Sequence, residues 1–264
     1  MSDVIQLSVF DVAGAACFVL LAGIVSVWMK LRLERDLALG VVRSVIQLSL
    51  LGYVLQWVFG NVMLSVTAAA MVAMTLAAAQ AALARSGWKL QGAFGGAFLT
   101  LVISACATAL VASGVLVRAE PWYQPRYALP LLGMLLGNGL TGISLCLDSL
   151  LGTFAEDREK VELELAMGAT RWEAIRHPMR RSVRRGMIPI INAMMIVGLV
   201  SIPGMMTGQI LAGASPVMAV RYQLLILFLI AASTSLACAG IAGYAASRMI
   251  DRDHRIRGER LTKR

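Results

Sequence analysis

The apolar residues of this chain fall in runs of about 20 separated by short charged stretches, the length a helix needs to cross about 30 Å of hydrocarbon. Over 264 residues, 58% are apolar and 15% charged. An ordinary soluble domain has about 45–50% apolar residues, on a set that counts Gly but not Tyr, and about 25% charged ones. Disorder, a coiled coil and a single soluble core are excluded together. The reading is an all-α, polytopic integral membrane protein.

Seven spans are expected, at about 9 to 29, 41 to 59, 62 to 84, 92 to 117, 127 to 150, 187 to 211 and 222 to 247. Of the 24 Lys and Arg, all but Arg118, Arg126 and Arg221 then lie on one side. The positive-inside rule makes that side cytoplasmic, with the N-terminus outside and the C-terminus inside. The net charge of +9 therefore reads as orientation, with some affinity for anionic headgroups, rather than as a nucleic-acid surface. Residues 1 to 11 carry Asp3 and Asp11 and no Lys or Arg, so a retained first span is expected rather than a cleaved signal. Cys17, Cys106, Cys146 and Cys238 each sit alone in a span, as small packing residues do.

Residues 1–150 hold spans one to five, 187–247 hold spans six and seven, and 151–186 form the one long connection, facing the cytoplasm. Residues 248–264 read as a short, frayed, basic cytoplasmic tail. Within the long connection, Thr153 to Glu156 fits a capping box, and Thr170 to Glu173 fits a second. The first predicts a helix with Phe154, Val161 and Leu165 on its apolar face, ended by Gly168 in a left-handed turn. The second predicts a helix with an apolar stripe of Trp172, Ile175, Met179 and Val183, lying along the membrane surface and kinked or divided at Pro178. The segment reads as a helix-turn-helix docking element.

Gly137-Asn138-Gly139-Leu140-Thr141-Gly142 matches a dinucleotide-binding pattern but lies mid-span, without the strand and aqueous helix start that pattern needs. Close helix packing by small residues is the physical reading there, and at Gly92/Gly96, Gly133/Gly137 and Gly204/Gly208. Met134, Asn138, Thr141, Leu145, Asp148 and Ser149 form a polar stripe on span five that should face protein or a water-filled cavity. Asp148 suits either a salt bridge, with Arg43 as partner, or a cation contact in a pathway. Arg43 suits snorkelling to headgroups, whereas Gln47, one turn deeper, does not. Pro203-Gly204 should break span six, and a broken helix suits a gate. Met205 and Met206 follow it, and Met194 and Met195 precede it, either as gap-fillers or as soft-metal ligands. His177 and His254 form no metal-spaced pair. Trp122, Tyr123 and Tyr127 in the outer loop suit an interfacial belt, with Glu120 as a thin candidate for an exit-side cation contact. No GxxxxGK[ST] phosphate loop is present, so energy must come from a partner or an ion gradient.

Glu162-Leu163-Glu164-Leu165-Ala166-Met167-Gly168-Ala169-Thr170 resembles the EAA-type loop of ABC transporter permeases, with Leu163 and Glu164 in place of two Ala and without the usual final Leu-Pro. Ser201 to Gly213, Ala219 to Gln223, Asn138 to Leu145 and Arg43 to Gln47 are similar to the FetB-type iron-export ABC permeases, a family that includes plant permeases linked to aluminium tolerance. The resemblance implies a permease subunit, homodimeric, in the bacterial inner membrane. It implies a separately encoded ATPase that binds ATP and Mg, so that this chain is not an enzyme and carries no cofactor. Residues 151–175 would dock that ATPase, with Glu162, Glu164, Gly168, Ala169, Thr170 and Trp172 at the contact. The pathway would draw on Arg43, Gln47, Asn138, Thr141, Asp148, Pro203, Gly204, Met205, Met206 and Gln209, and its substrate would be iron or another metal ion moving outward. Two other readings stay open: a secondary transporter driven by protons or sodium, for which Asp148 alone is a poor relay, and a membrane subunit that moves no solute.

Overall fold

Backbone groups in lipid must be paired within their own segment, and helices accordingly carry most of the chain. The computed structural model describes residues 8–118, 120–251 and 255–263, the side chains of Val9 and Ala13 excepted; Asp3 and His254 of the sequence reading lie outside these. Two units are present, residues 1–62 with 211–214, and 63–210 with 215–264.

The first unit is a hairpin of α1 (Val9–Trp28) and α2 (Glu34–Gly60). Ser8 starts α1 with a capping box, accepting the Phe10 N–H while Asp11 accepts the Ser8 N–H. The buried Ser26 hydroxyl donates to Glu34 and accepts the Leu33 N–H, fixing the turn into α2.

The second unit begins with α3 (Leu64–Ala84) and strand β1 (Trp88–Leu90). The next span, Ala93–Leu116, is α4 (Ala93–Leu101) and α5 (Ala107–Val111) with π-helical turns at Val102–Cys106 and Ala112–Leu116. Then come α6 (Pro125–Glu156), α7 (Arg158–Ala166), α8 (Arg171–Ile196), α9 (Gly204–Leu211), α10 (Pro216–Met249) and strand β2 (Leu261–Lys263). The core lies around α6, which packs on α3, α8 and α10 and buries Leu132, Leu135, Ile143, Leu147, Leu150 and Leu151.

Small residues set how closely these helices approach. A Cβ placed on Gly186 of α8 would lie 2.6 Å from the Cys238 sulfur and 2.7 Å from the Gly142 carbonyl oxygen, so α6, α8 and α10 meet backbone to backbone here. Cys146 and Cys238 fill this crossing, the Cys146 thiol facing the Cys238 carbonyl at 3.6 Å. Gly96 receives the Tyr244 ring, while Gly137, Gly204 and Gly208 meet no neighbour.

Among the described residues six helices are long and apolar enough to cross a membrane, against seven expected spans. The span expected at 187–211 is divided between the second half of α8 and the short α9. Its break starts at Val197, earlier than Pro203: Gly198 takes φ +82° and donates its N–H to the Ser201 carbonyl. Pro203 instead stands at the start of α9, its carbonyl accepting from Thr207. Pro178 does not divide α8, which runs unbroken past the expected boundary at 187.

Two local expectations are corrected. The Thr153 capping box does not form, because α6 continues to Glu156 and the Thr153 hydroxyl donates back to the Ser149 carbonyl; Asp157 closes α6 and opens α7. The tail is not frayed over 255–263. Arg257 N–H returns to the Met249 carbonyl, Ile250 bridges Ile256, and β2 pairs antiparallel with β1, Trp88 opposite Lys263 and Leu90 opposite Leu261. Ile250 and Ile256 are buried, which anchors an otherwise charged segment.

Candidate functional site

The turn between α7 and α8 is fixed from both sides by backbone chemistry. At the end of α7 the Ala169 N–H returns to the Glu164 carbonyl and the Gly168 N–H to the Leu165 carbonyl, both at 3.1 Å. This Schellman arrangement requires a left-handed residue, and Gly168 supplies it at φ +92°. At the start of α8, Glu173 accepts the Thr170 N–H at 2.8 Å and the Thr170 hydroxyl proton at 2.7 Å, while its own N–H approaches the Thr170 oxygen. The Thr170 hydroxyl, then its N–H, holds the Glu173 carboxyl below its ordinary range. The second capping box stands as the sequence predicted.

Within α7 the Arg158 guanidinium pairs with Glu162 at 2.7 Å, one turn apart. The Lys160 ammonium, donating to Asp157 at 2.5 Å, holds that carboxyl below its ordinary range. Val161 is buried and Leu165 half-buried, which leaves Glu162, Leu163, Glu164, Met167 and Trp172 facing outward. Ala169 is half-buried between them. The Arg171 guanidinium lies 5.7 Å over the Trp172 ring. A cleft of about 200 Å³ between the end of α6, α7 and α8 is lined by Asp157, Lys160, Glu164, His177 and Arg181, among others.

The inward face of α8 is turned from the expected stripe. Ala174, Ile175, Pro178, Ser182, Gly186 and Ile190 are buried, whereas Trp172 is 48% exposed. Five of these six recur every fourth residue from Ala174, which brings the smaller side chains against α6 and α10.

The pathway candidates fall in both units. Arg43 and Gln47 are exposed on α2 of the first unit. In the second, Met134, Asn138, Thr141, Leu145 and Asp148 share the half-buried side of α6. Asn138 donates to the Met134 carbonyl and Thr141 to the Gly137 carbonyl, so both of these bonds stay within α6. Asp148 accepts the Gly87 N–H at 3.0 Å, tying the loop after α3 to α6. Pro203, Met205 and Met206 are half-buried and Gly204 is exposed. Gln209 of α9 and Gln223 of α10 each bury a side-chain carbonyl oxygen without a hydrogen-bond donor among the described residues. Such oxygens favour a donor or a cation. Gln223 closes the Ala219 to Gln223 stretch that carries the resemblance but is not among the pathway candidates, because one amide in an apolar run gives no periodic signal. Among the described residues, no three His, Cys, Asp or Glu side chains gather as a metal site.

The family described as "Uncharacterised protein family (UPF0014)" matches residues 9–250. UPF0014 membrane protein YjkA of Bacillus subtilis is 35% identical over 223 residues, 84% of this chain and 87% of its own length. "Probable iron export permease protein FetB" of Escherichia coli is 33% identical over 226 residues, 86% of each chain. Protein ALUMINUM SENSITIVE 3 of Arabidopsis thaliana is 33% identical over 215 residues, 81% of this chain and 77% of its own length. No solved structure matches. The expected kinship with FetB-type permeases and plant aluminium-related proteins therefore holds, and this integral membrane protein belongs to the UPF0014 family.

Proposed function

We propose that the chain is the permease subunit of an ABC transporter that moves iron or another metal ion outward, working as a homodimer with a separate ATPase. The observation that carries this reading is the braced turn at Gly168. A Schellman closure on one side and a capping box on the other hold a rigid projection whose outer surface is Glu162, Leu163, Glu164, Met167 and Trp172. A projection of this kind suits a socket in a partner that moves on ATP binding, and α8 runs from it without interruption to Ile196. A push at the turn is thereby carried along one continuous helix toward the break at Val197. The substrate class is supported by the name of the Escherichia coli relative.

In this mechanism the ATPase supplies the free energy and this chain supplies two arrangements of its helices. Arg43, Gln47, Asn138, Thr141, Asp148, Gln209 and the Met205–Met206 pair are the groups proposed to meet the metal species on its way. The Gln209 oxygen, which like that of Gln223 has no donor among the described residues, is prepared to contact a cation. The test is affinity purification of the tagged chain from its own cells. A soluble ATPase should accompany the native chain and be lost from Glu164→Lys; co-purification of no ATPase with either would overturn the reading.

A further inference from the structure

The last span ends in a basic pocket whose arginines the transport reading gives no role, although Arg171 lies within the proposed docking segment. It has a volume of about 500 Å³ and is lined by Arg171, Ser247, Arg248, Asp251, Arg257 and Arg260, together with the buried Ile250. Four guanidinium groups meet one carboxylate there, an excess of three positive charges among the described residues.

The arginines are held in place. The Arg248 Nε donates to the Tyr244 hydroxyl at 3.3 Å, and its guanidinium lies 5.7 Å over the Tyr244 ring. Tyr244 itself donates to the Gly92 carbonyl at 2.7 Å. Gly92, at φ +77°, leaves room for the Arg248 guanidinium, since a Cβ there would lie 2.5 Å from Nη2. Arg260 donates to the Arg248 carbonyl, Arg257 lies 3.5 Å from Asp251, and Arg171 rests on the Trp172 ring.

A guanidinium has five N–H donors, and each of these contacts uses one or none. Among the described residues, the Arg248 carbonyl takes one Arg260 N–H, and Asp251, which also accepts the Arg255 N–H, lies against Arg257. The surplus of donors and charge, converging at one end of a membrane span, matches the geometry that recognises a tetrahedral oxyanion. We propose that this pocket binds a phosphate-bearing anion, either the headgroup phosphate of an anionic lipid or a soluble phosphate.

The test is the thermal transition of the purified full-length chain in neutral detergent at constant ionic strength. Three additions are compared: phosphatidylglycerol, phosphatidylcholine and inorganic phosphate. The expected result is a rise in Tm with phosphatidylglycerol but not phosphatidylcholine, with about tenfold weaker binding in the double variant R171Q/R257Q and no change in R184Q, an exposed arginine elsewhere on α8. An equal rise with inorganic phosphate assigns the site to the soluble species. Should the double variant lack a cooperative transition, R171Q alone decides, because among the described residues the Arg171 guanidinium is held by a ring face and by no hydrogen bond. Equal responses to both lipids together with no response to phosphate, or an R171Q titration that overlays the native one, would overturn the proposal.

Discussion

At the residue scale the glycines divide into those that matter for backbone shape and those that matter for space. Gly168 has no neighbour within 4 Å of an added Cβ, so its constraint is the φ of +92° alone. Gly168→Val should therefore cost about 1–2 kcal/mol locally and, under the proposed function, uncouple ATP hydrolysis from transport, whereas Gly168→Asn, which tolerates the left-handed region, should keep most of the transport; intact transport in the Val variant would count against the proposed docking role. Gly186 is the opposite case, with no unusual backbone and contacts at 2.6 and 2.7 Å. Gly186→Ala should lower stability by about 1–3 kcal/mol in a thermal melt, and Gly137→Ala, with open space, should not. Asp148 shows why sequence stops short of the site. An acid near the end of a span calls for a partner, and its partner is the Gly87 N–H in a loop 61 positions earlier, which carries no side-chain signal. Asp148→Ala should speed amide exchange at Gly87 about tenfold, the loss of one charged hydrogen bond, while Asp148→Asn should retain protection.

At the scale of elements, local chemistry was readable wherever the competing signals agreed. Thr170 and Glu173 form their box because Gly168 has already ended α7 and the chain is free to restart. Thr153 and Glu156 have the same spacing and do not, because Phe154 is buried with the core face of α6 and holds the helix through that point. Tertiary burial overrides a cap that is worth about 1 kcal/mol. The formed box makes a pH prediction. Glu173 is held below its ordinary value, so its contribution is complete above the ordinary carboxylate range and fades as pH falls through the depressed value. Amide exchange at residues 170–173 should thus accelerate in acid, and Thr170→Val should remove much of that dependence. The division of the sixth expected span was readable only in part. Pro203 marked it, but Gly198 and the Ser201 carbonyl place its start six residues earlier than Pro203.

At the scale of the molecule, the C-terminal tail ties together segments that are far apart in sequence. It returns from α10 to pair β2 with β1, and Gly258 approaches Arg158 at the start of α7. Ending the chain after Ile250 removes the Ile256 anchor and the β2 strand, and should cost about 2 kcal/mol while freeing the β1 backbone at Lys89 for trypsin; an unchanged digestion pattern would show that the pairing does not protect that strand. The sequence by itself determined the solvent, the helical class, the approximate place of six of the expected spans, the turn at Gly168 and the family. All of these follow from apolar run length and local backbone preference, which act over a few residues. Only the tertiary structure decided that α8 runs unbroken past Pro178, that α6, α8 and α10 meet at Gly142 and Gly186, and that a tail of mixed charge becomes a strand. Those outcomes depend on which surfaces distant segments present to one another, and no local pattern encodes that.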